Sequence, residues 1–416
     1  MALTALAVVV FVFYHSILPN VQDSVATPVN DWMPISAINN SMIWVIMALG
    51  LNIVVGYAGL LDLGYVAFWA IGGYTAAWLM STFAGDEWSL TLHIGSPSVT
   101  DKATGIHISF WLVLIIAAAF CALWGIIIGT PTLRLRSDYL AIVTLGFGEI
   151  IPQFFRNAED IGGINISNGD KGIGPVDAIG TGPFSHIQGV KPALGAFDLD
   201  IKFVVYAILV AVCVLISLRI REGRLGRAWL AIREDELAAG MMGIPLVKAK
   251  LSAYAVGAAF GGLGGVAYAT LVGTTFPTFS FAYSITILLM VVLGGMGNVW
   301  GVIVGALALS WINSTGLAQF GDTFNSQFGT NIDFPGYNYL IFGVILVLMM
   351  LFRREGLIPE RRTQRILREP SRTELEAVGS DVEAGQSTVK AESGIVVEPV
   401  EPGDQVEFAG DKGRQL

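Results

Sequence analysis

The chain has 416 residues, 54% of them hydrophobic and only 14% charged, with a mean hydropathy of +0.64. Soluble domains carry about 25% charged residues, so this composition excludes a soluble globular protein and points to one built within a bilayer. The formal charge of −9 is unevenly held: Glu369 to Leu416 has eleven acids against four bases, which is −7, and nucleic-acid binding has no support.

The apolar runs approach the roughly 20 residues that a helix needs to cross the hydrocarbon core, and strand-like alternation is absent. The expected fold class is therefore all-α, a polytopic transmembrane helical bundle with about ten membrane-spanning segments. In chain order these fall near 2–18, 35–55, 58–82, 110–130, 138–155, 202–220, 251–273, 281–296, 298–316 and 337–352. The first lacks the basic n-region of a signal peptide and reads as a short span ended by Pro19, with a cleaved signal as the alternative. Residues 1–34 thus form an N-terminal span with an external linker, 35–355 the body, and 356–416 a basic, then acidic, tail. The tail is rich in Glu, Ser, Gly, Pro and Val without periodicity, and is expected to be disordered.

Lys and Arg mark the cytoplasmic side of a membrane protein. Arg134 with Arg136, the loop 219–250, and the run Arg353, Arg354, Arg361, Arg362, Arg365 and Arg368 all satisfy this rule with an even number of spans between them. The C-terminus is then cytoplasmic, and 84–109, 156–201 and 313–336 lie outside. Their Gly, Pro, Asn and Asp favour turns over long helices. The 156–201 loop is long enough for a small cap that receives an external partner, or is simply a solvated connector.

Carboxylates within apolar runs are costly and by default face a bundle interior or a watery path. Asp62 has that reading, or caps a helix between Gly59 and Gly64. Glu149 sits deeper and reads as a hydrogen bond between helices, and Asp138 after Ser137 as an N-cap. Gly257, Gly261, Gly262, Gly264 and Gly265 suit close helix approach. Gly294, Gly295 and Gly297 suit either close packing with a tight turn or a helix break that opens backbone groups to a substrate. Cys121 and Cys213 lie in apolar spans as packing residues, and neither they nor the four scattered histidines have metal-site spacing. The chain has no Walker A pattern and no nucleophile–base constellation, so no catalytic residue, metal site or cofactor is expected in it.

The loop between Arg219 and Lys250 is dense in charge around a short helical run, Arg233 to Gly243, with small residues on one face. It reads as a water-facing helix able to dock a soluble partner.

Four stretches together resemble the high-affinity branched-chain amino acid ABC transporter permeases of the LivM type. They are Leu49 to Gly64 (LGLNIVVGYAGLLDLG), Arg134 to Ile150 (RLRSDYLAIVTLGFGEI), the 224–243 loop, and Met290 to Gly301 (MVVLGGMGNVWG), in register over roughly 35–355. The resemblance implies a permease subunit of a prokaryotic cell membrane, forming half of a translocation path through the lipid bilayer. Its implied partners are a second, similar permease, two cytoplasmic ATPases that use ATP and Mg, and an extracytoplasmic solute-binding protein. The resemblance also implies a coupling helix. Arg233, Glu236, Ala238, Ala239 and Gly243 match it loosely, with Leu237 in place of the first alanine, and Arg233 and Glu236 at i, i+3 are able to pair with each other or with the partner. Asn52, Asp62, Glu149, Gly294, Gly295 and Gly297 are the translocation-path candidates. Related permeases carry urea or short amides. The competing class is an ion-coupled secondary transporter using Asp62 or Glu149.

Overall fold

The computed structural model describes residues 10, 31–94, 104–133, 137–177, 179, 199–275, 279–353 and 356–358. The expected span at 2–18, Arg134 and Arg136, residues 180–198 of the long loop, and the tail beyond 358 lie outside them, as does the side chain of Asp138.

Helix α1 (Ile35–Leu51) runs into a wide π turn at Asn52–Tyr57. Residues 58–65 are non-helical, and α2 (Val66–Leu79) follows. A small sheet comes next, with β1 (Met80–Ser81), the short α3 (Phe83–Trp88), β2 (Leu92–Ile94) and β3 (Ile106–Ile108). Its middle strand β3 is antiparallel to β1 and parallel to β2. Then come α4 (Phe110–Thr132), α5 (Ser137–Asn157) and α6 (Leu199–Glu222). Two short helices, α7 (Arg224–Glu234) and α8 (Glu236–Met241), occupy the charged loop. The chain continues through α9 (Leu246–Val272), α10 (Phe281–Gly294) and α11 (Val299–Trp311). A second π turn, Ile312–Gly316, joins α11 to α12 (Leu317–Phe328), and α13 (Asn338–Phe352) closes the described body.

Among the described residues, five helical stretches are long and apolar enough to cross a membrane: Ile35–Tyr57, Phe110–Thr132, Lys202–Glu222, Leu246–Val272 and Val299–Phe328. Val66–Leu79, Phe281–Gly294 and Pro335–Met349 are shorter apolar helices. Two expected boundaries move. The run expected to span 58–82 is helical only from Val66, because Gly59 adopts φ +68° and the stretch around Asp62 and Gly64 forms a turn. The stretch expected to connect at 313–336 stays helical to Phe328, where Gly329 at φ +64° ends it. Phe320, Phe324 and Phe328 stack at i, i+4 spacing, and Phe334 folds back on the first two, which offsets the Asn, Gly and Asp content.

The bundle is organised on α9. A Cβ on Gly125 of α4 would lie 2.8 Å from the Cβ of Ala258, and one on Gly262 would lie 2.9 Å from the Ala117 carbonyl oxygen, so α4 and α9 run antiparallel. Gly72 of α2 meets Gly262, and a Cβ on Gly265 would lie 2.6 Å from the Gly73 nitrogen, while on α1 Gly50 meets Gly257 and Met47 meets Gly264. The glycines let backbones approach where side chains would hold them apart. Away from these seams the helices stay apolar: Ile115, Leu123 and Ile127 on α4, Leu215 on α6, and Val347 and Leu351 on α13 are all exposed. A helix apolar on its outer face as well as its inner one is a helix in hydrocarbon. These directions put the charged loop at the same end as Tyr57 and the start of α2, and the small sheet at the other.

Candidate functional site

The charged loop is held to the bundle by α7. Its buried residues Gly226, Trp229 and Ile232 recur every third position and so form one stripe. Trp229 is fully enclosed, and its Nε1 donates to the Ala249 carbonyl oxygen at 2.9 Å and to Ser252 Oγ at 3.1 Å on α9. Asp235 breaks the helix and caps the next one, accepting from the Leu237 and Ala238 amides at 2.8 and 3.0 Å. Arg233 and Glu236 each make an inward contact. Lys250 Nζ donates to Glu236 Oε1 at 2.5 Å, and Arg233 Nη1 donates to the Gly56 carbonyl oxygen at 2.5 Å. Ala239 is buried, Ala238 exposed, and Gly243 stands clear of neighbours at φ +85°. Three large apolar side chains of this loop are well exposed: Leu237 at 76%, Met241 at 88% and Met242 at 84%. Leu237 stands out in the sequence as the residue in place of the first alanine, and Met241 and Met242 beside a charged helix are a second readable signal.

The path candidates separate into three places. Asp62 is buried in the turn before α2, where Oδ1 accepts from the Gly64 amide at 2.8 Å. Thr144 Oγ1 accepts from the neighbouring Leu63 amide at 3.1 Å and donates to the Ala141 carbonyl oxygen at 3.1 Å. Asp62 braces this turn and does not cap α2, whose N-cap is Tyr65 without a side-chain bond. Glu149 is exposed on α5 beside Ile150, so the expected bond between helices is not made among the described residues. The helix simply turns that position outward.

Asn52, Gly294, Gly295 and Gly297 come together. Asn52 Oδ1 accepts from the Gly297 amide at 2.8 Å across the gap between α1 and the α10–α11 turn. Gly295 and Gly297 take φ of +112° and +88°, and a Cβ on Gly305 would sit 2.7 Å from the Gly294 nitrogen. This is a tight turn with close helix packing. Its carbonyls are used: Leu357 N donates to Leu293 O at 2.8 Å and Ile358 N to Gly294 O at 3.2 Å, while Asn298 Nδ2 donates to Ile358 O at 2.9 Å. At the sheet end, His107 Nδ1 and Asp177 Oδ2 lie 2.7 Å apart, and Asp177 N donates to Met80 O at 2.7 Å. Residues 158–177 are thereby pinned to β1 and β3. Burial raises the Asp177 carboxyl above the ordinary range, with His107 opposing it.

The family described as branched-chain amino acid transport system permease component matches residues 33–350. Two relatives, each a high-affinity branched-chain amino acid transport system permease protein LivM, come from Salmonella typhimurium and Escherichia coli. Each is 36% identical over 343 residues, covering 78% of this chain and 69% of its own length. A probable branched-chain amino acid transport permease protein LivM of Methanocaldococcus jannaschii is 26% identical over 349 residues, covering 79% of this chain and 95% of its own. No solved structure matches the chain. With the bundle, its outward apolar faces and these matches together, the chain belongs to the LivM-type permeases of branched-chain amino acid ABC transport.

Proposed function

We propose that this permease forms half of a translocation path for branched-chain or related neutral amino acids, paired with a second permease. Separate ATPases that bind ATP and Mg would dock on the charged loop, and a solute-binding protein would dock at the sheet end. In this arrangement the loop and the C-terminus face the cytoplasm of a prokaryotic cell. The chain supplies path and lever, with no covalent chemistry of its own.

The observation that supports this most is the tip formed by Leu237, Met241 and Met242, exposed between anchored flanks. Enclosing each in a partner cleft would contribute about 1.5–3 kcal/mol. Substitution of Gly243 is a poor test, because any side chain there is strained at φ +85°. Met241→Glu leaves the fold alone and places a charge on the proposed contact. The tagged chain, purified in mild detergent, should bring down two Walker A ATPases and a second permease in fixed ratio. Met241→Glu should lose the ATPases and keep the permease. A chain that purifies alone and transports under an ion gradient would sink the reading.

A further inference from the structure

The π turn at Asn52–Tyr57 has a use that the docking of partners does not explain. In an α-helix each carbonyl is taken by an amide four residues on. Here the ladder widens, with Ala58 N reaching Ile53 O at 3.3 Å and Leu60 N reaching Val54 O at 3.1 Å. The Gly56 carbonyl, at the end of the widened turn, accepts from Arg233 of α7. Such turns persist where the surroundings determine them, and this one has the charged loop on one side and the α10–α11 turn on the other.

We propose that Arg233, the π turn and Asn52 form a rigid relay that carries movement of the charged loop into the α10–α11 turn, with Arg233 and Asn52 as its positioning residues. This rests on the reading that a partner ATPase moves the loop. The relay has little slack at any joint. A Cβ on Gly59 would lie 3.0 Å from Arg233 Cγ and 3.4 Å from its Cα, so the α7 end sits directly on the chain just after the π turn. A Cβ on Gly56 would lie 2.7 Å from the Gly297 nitrogen and 2.9 Å from Asn52 Cγ. At this inner joint two backbone segments and one buried amide therefore touch without a long side chain between them. Asn52 is fully enclosed, so its Oδ1 has no water to exchange for the Gly297 amide, and that contact is held. Beyond it the turn is fastened to Leu357 and Ile358, so displacement at Gly297 reaches α10, α11 and the segment after α13 together.

The test is a double-mutant cycle in the reconstituted complex, reading assembly, ATP hydrolysis and uptake separately. Asn52→Ala should assemble with its ATPases at full stoichiometry and hydrolyse ATP, with uptake per ATP reduced about tenfold, a typical size for coupling between sites. Arg233→Met should behave alike, and the double variant should be no worse than either single, since both cut one route. Unchanged uptake per ATP in Asn52→Ala overturns the relay, as do losses that multiply in the double variant. Uptake and hydrolysis falling together with lost assembly would mark Asn52 as structural only and overturn it too. If the unaltered chain recruits no ATPase, the docking reading fails first and the relay falls with it.

Discussion

Replacing Gly72 with Ala adds one methyl group at the tightest kind of seam in this bundle. The new Cβ would meet the Gly262 carbonyl oxygen and lie 2.6 Å from Gly262 Cα, where ordinary contact begins near 3.4 Å. Both atoms are backbone, so no rotamer change relieves the clash. Helix α9 is also blocked from retreating, because Gly262 faces α4 on its other side: a Cβ there would lie 2.7 Å from Cys121 Sγ and 2.9 Å from Ala117 O. The helices have to part by about 1 Å, and overpacking of this kind costs about 1–3 kcal/mol, offset by up to about 1 kcal/mol of helix propensity. Gly343→Ala in α13 is the control, since nothing lies within 4 Å of its Cβ position and only the propensity gain remains. Unfolding of the purified chain in detergent, by heat or by steric trapping, should show Gly72→Ala destabilised and Gly343→Ala unchanged or more stable. Equal effects of the two substitutions would refute the claim that glycine sets the α2–α9 spacing.

Other consequences are quicker to check. Cys121 and Cys213 are both free and buried, so a polar maleimide should leave them unmodified in the native protein and label both after unfolding in SDS; native labelling of either would contradict the packing of α4 or α6. Trp229→Phe removes a donor to Ala249 O and Ser252 Oγ and should cost about 1–3 kcal/mol, seen as faster amide exchange across α7 and α8. Unaltered exchange would mean that α7 is held by something else. Burial raises the Asp177 pKa above 3.8, so the folded chain keeps that proton where the unfolded chain has lost it. The sign follows: this group's contribution to stability falls as pH rises from the unfolded value through the folded one. Asp177→Asn should remove that slope, and a difference in melting temperature between the two proteins that is flat with pH would show the carboxyl to be unperturbed.

The apolar runs of α4, α6 and α9 are legible because bilayer thickness fixes their length and composition, and the glycine crowding of α9 is legible because few other roles need it. The α1–α2 break was harder to see. Asn52 to Tyr57 has the composition of an ordinary apolar helix, and the contacts that the π turn makes are to Arg233 and Gly297, residues distant in sequence. The sheet at the other end escaped notice because strands of two or three residues are too short to show a period. Glu149 was misplaced for a related reason: periodicity gives the faces of a helix but not which of them meets a neighbour. In the charged loop the pattern identified a helix with small residues, but only the fold turns Ala239 inward and Met241 outward.

Exposed apolar side chains on this protein fall into two kinds with different causes. Those on α4, α6 and α13 lie along long apolar helices, where lipid covers them and no partner is required. Leu237 and Met241 lie on a helix of six residues and Met242 directly follows it, bracketed by Asp235, Glu236 and Lys248, beyond the end of any span. Hydrocarbon cannot reach them without also taking in those charges, which would cost several kcal/mol apiece. Water is then the only other neighbour in the isolated chain, and large apolar side chains held in water suit the partner contact proposed above. The short neck beneath them is stiffened by Trp229, the Asp235 cap and the Lys250–Glu236 pair. A soft neck would let the tip follow a moving partner without disturbing the bundle. A stiff one would carry a docked partner's displacement to the residues of the proposed relay below it, Arg233, Gly56 and Asn52.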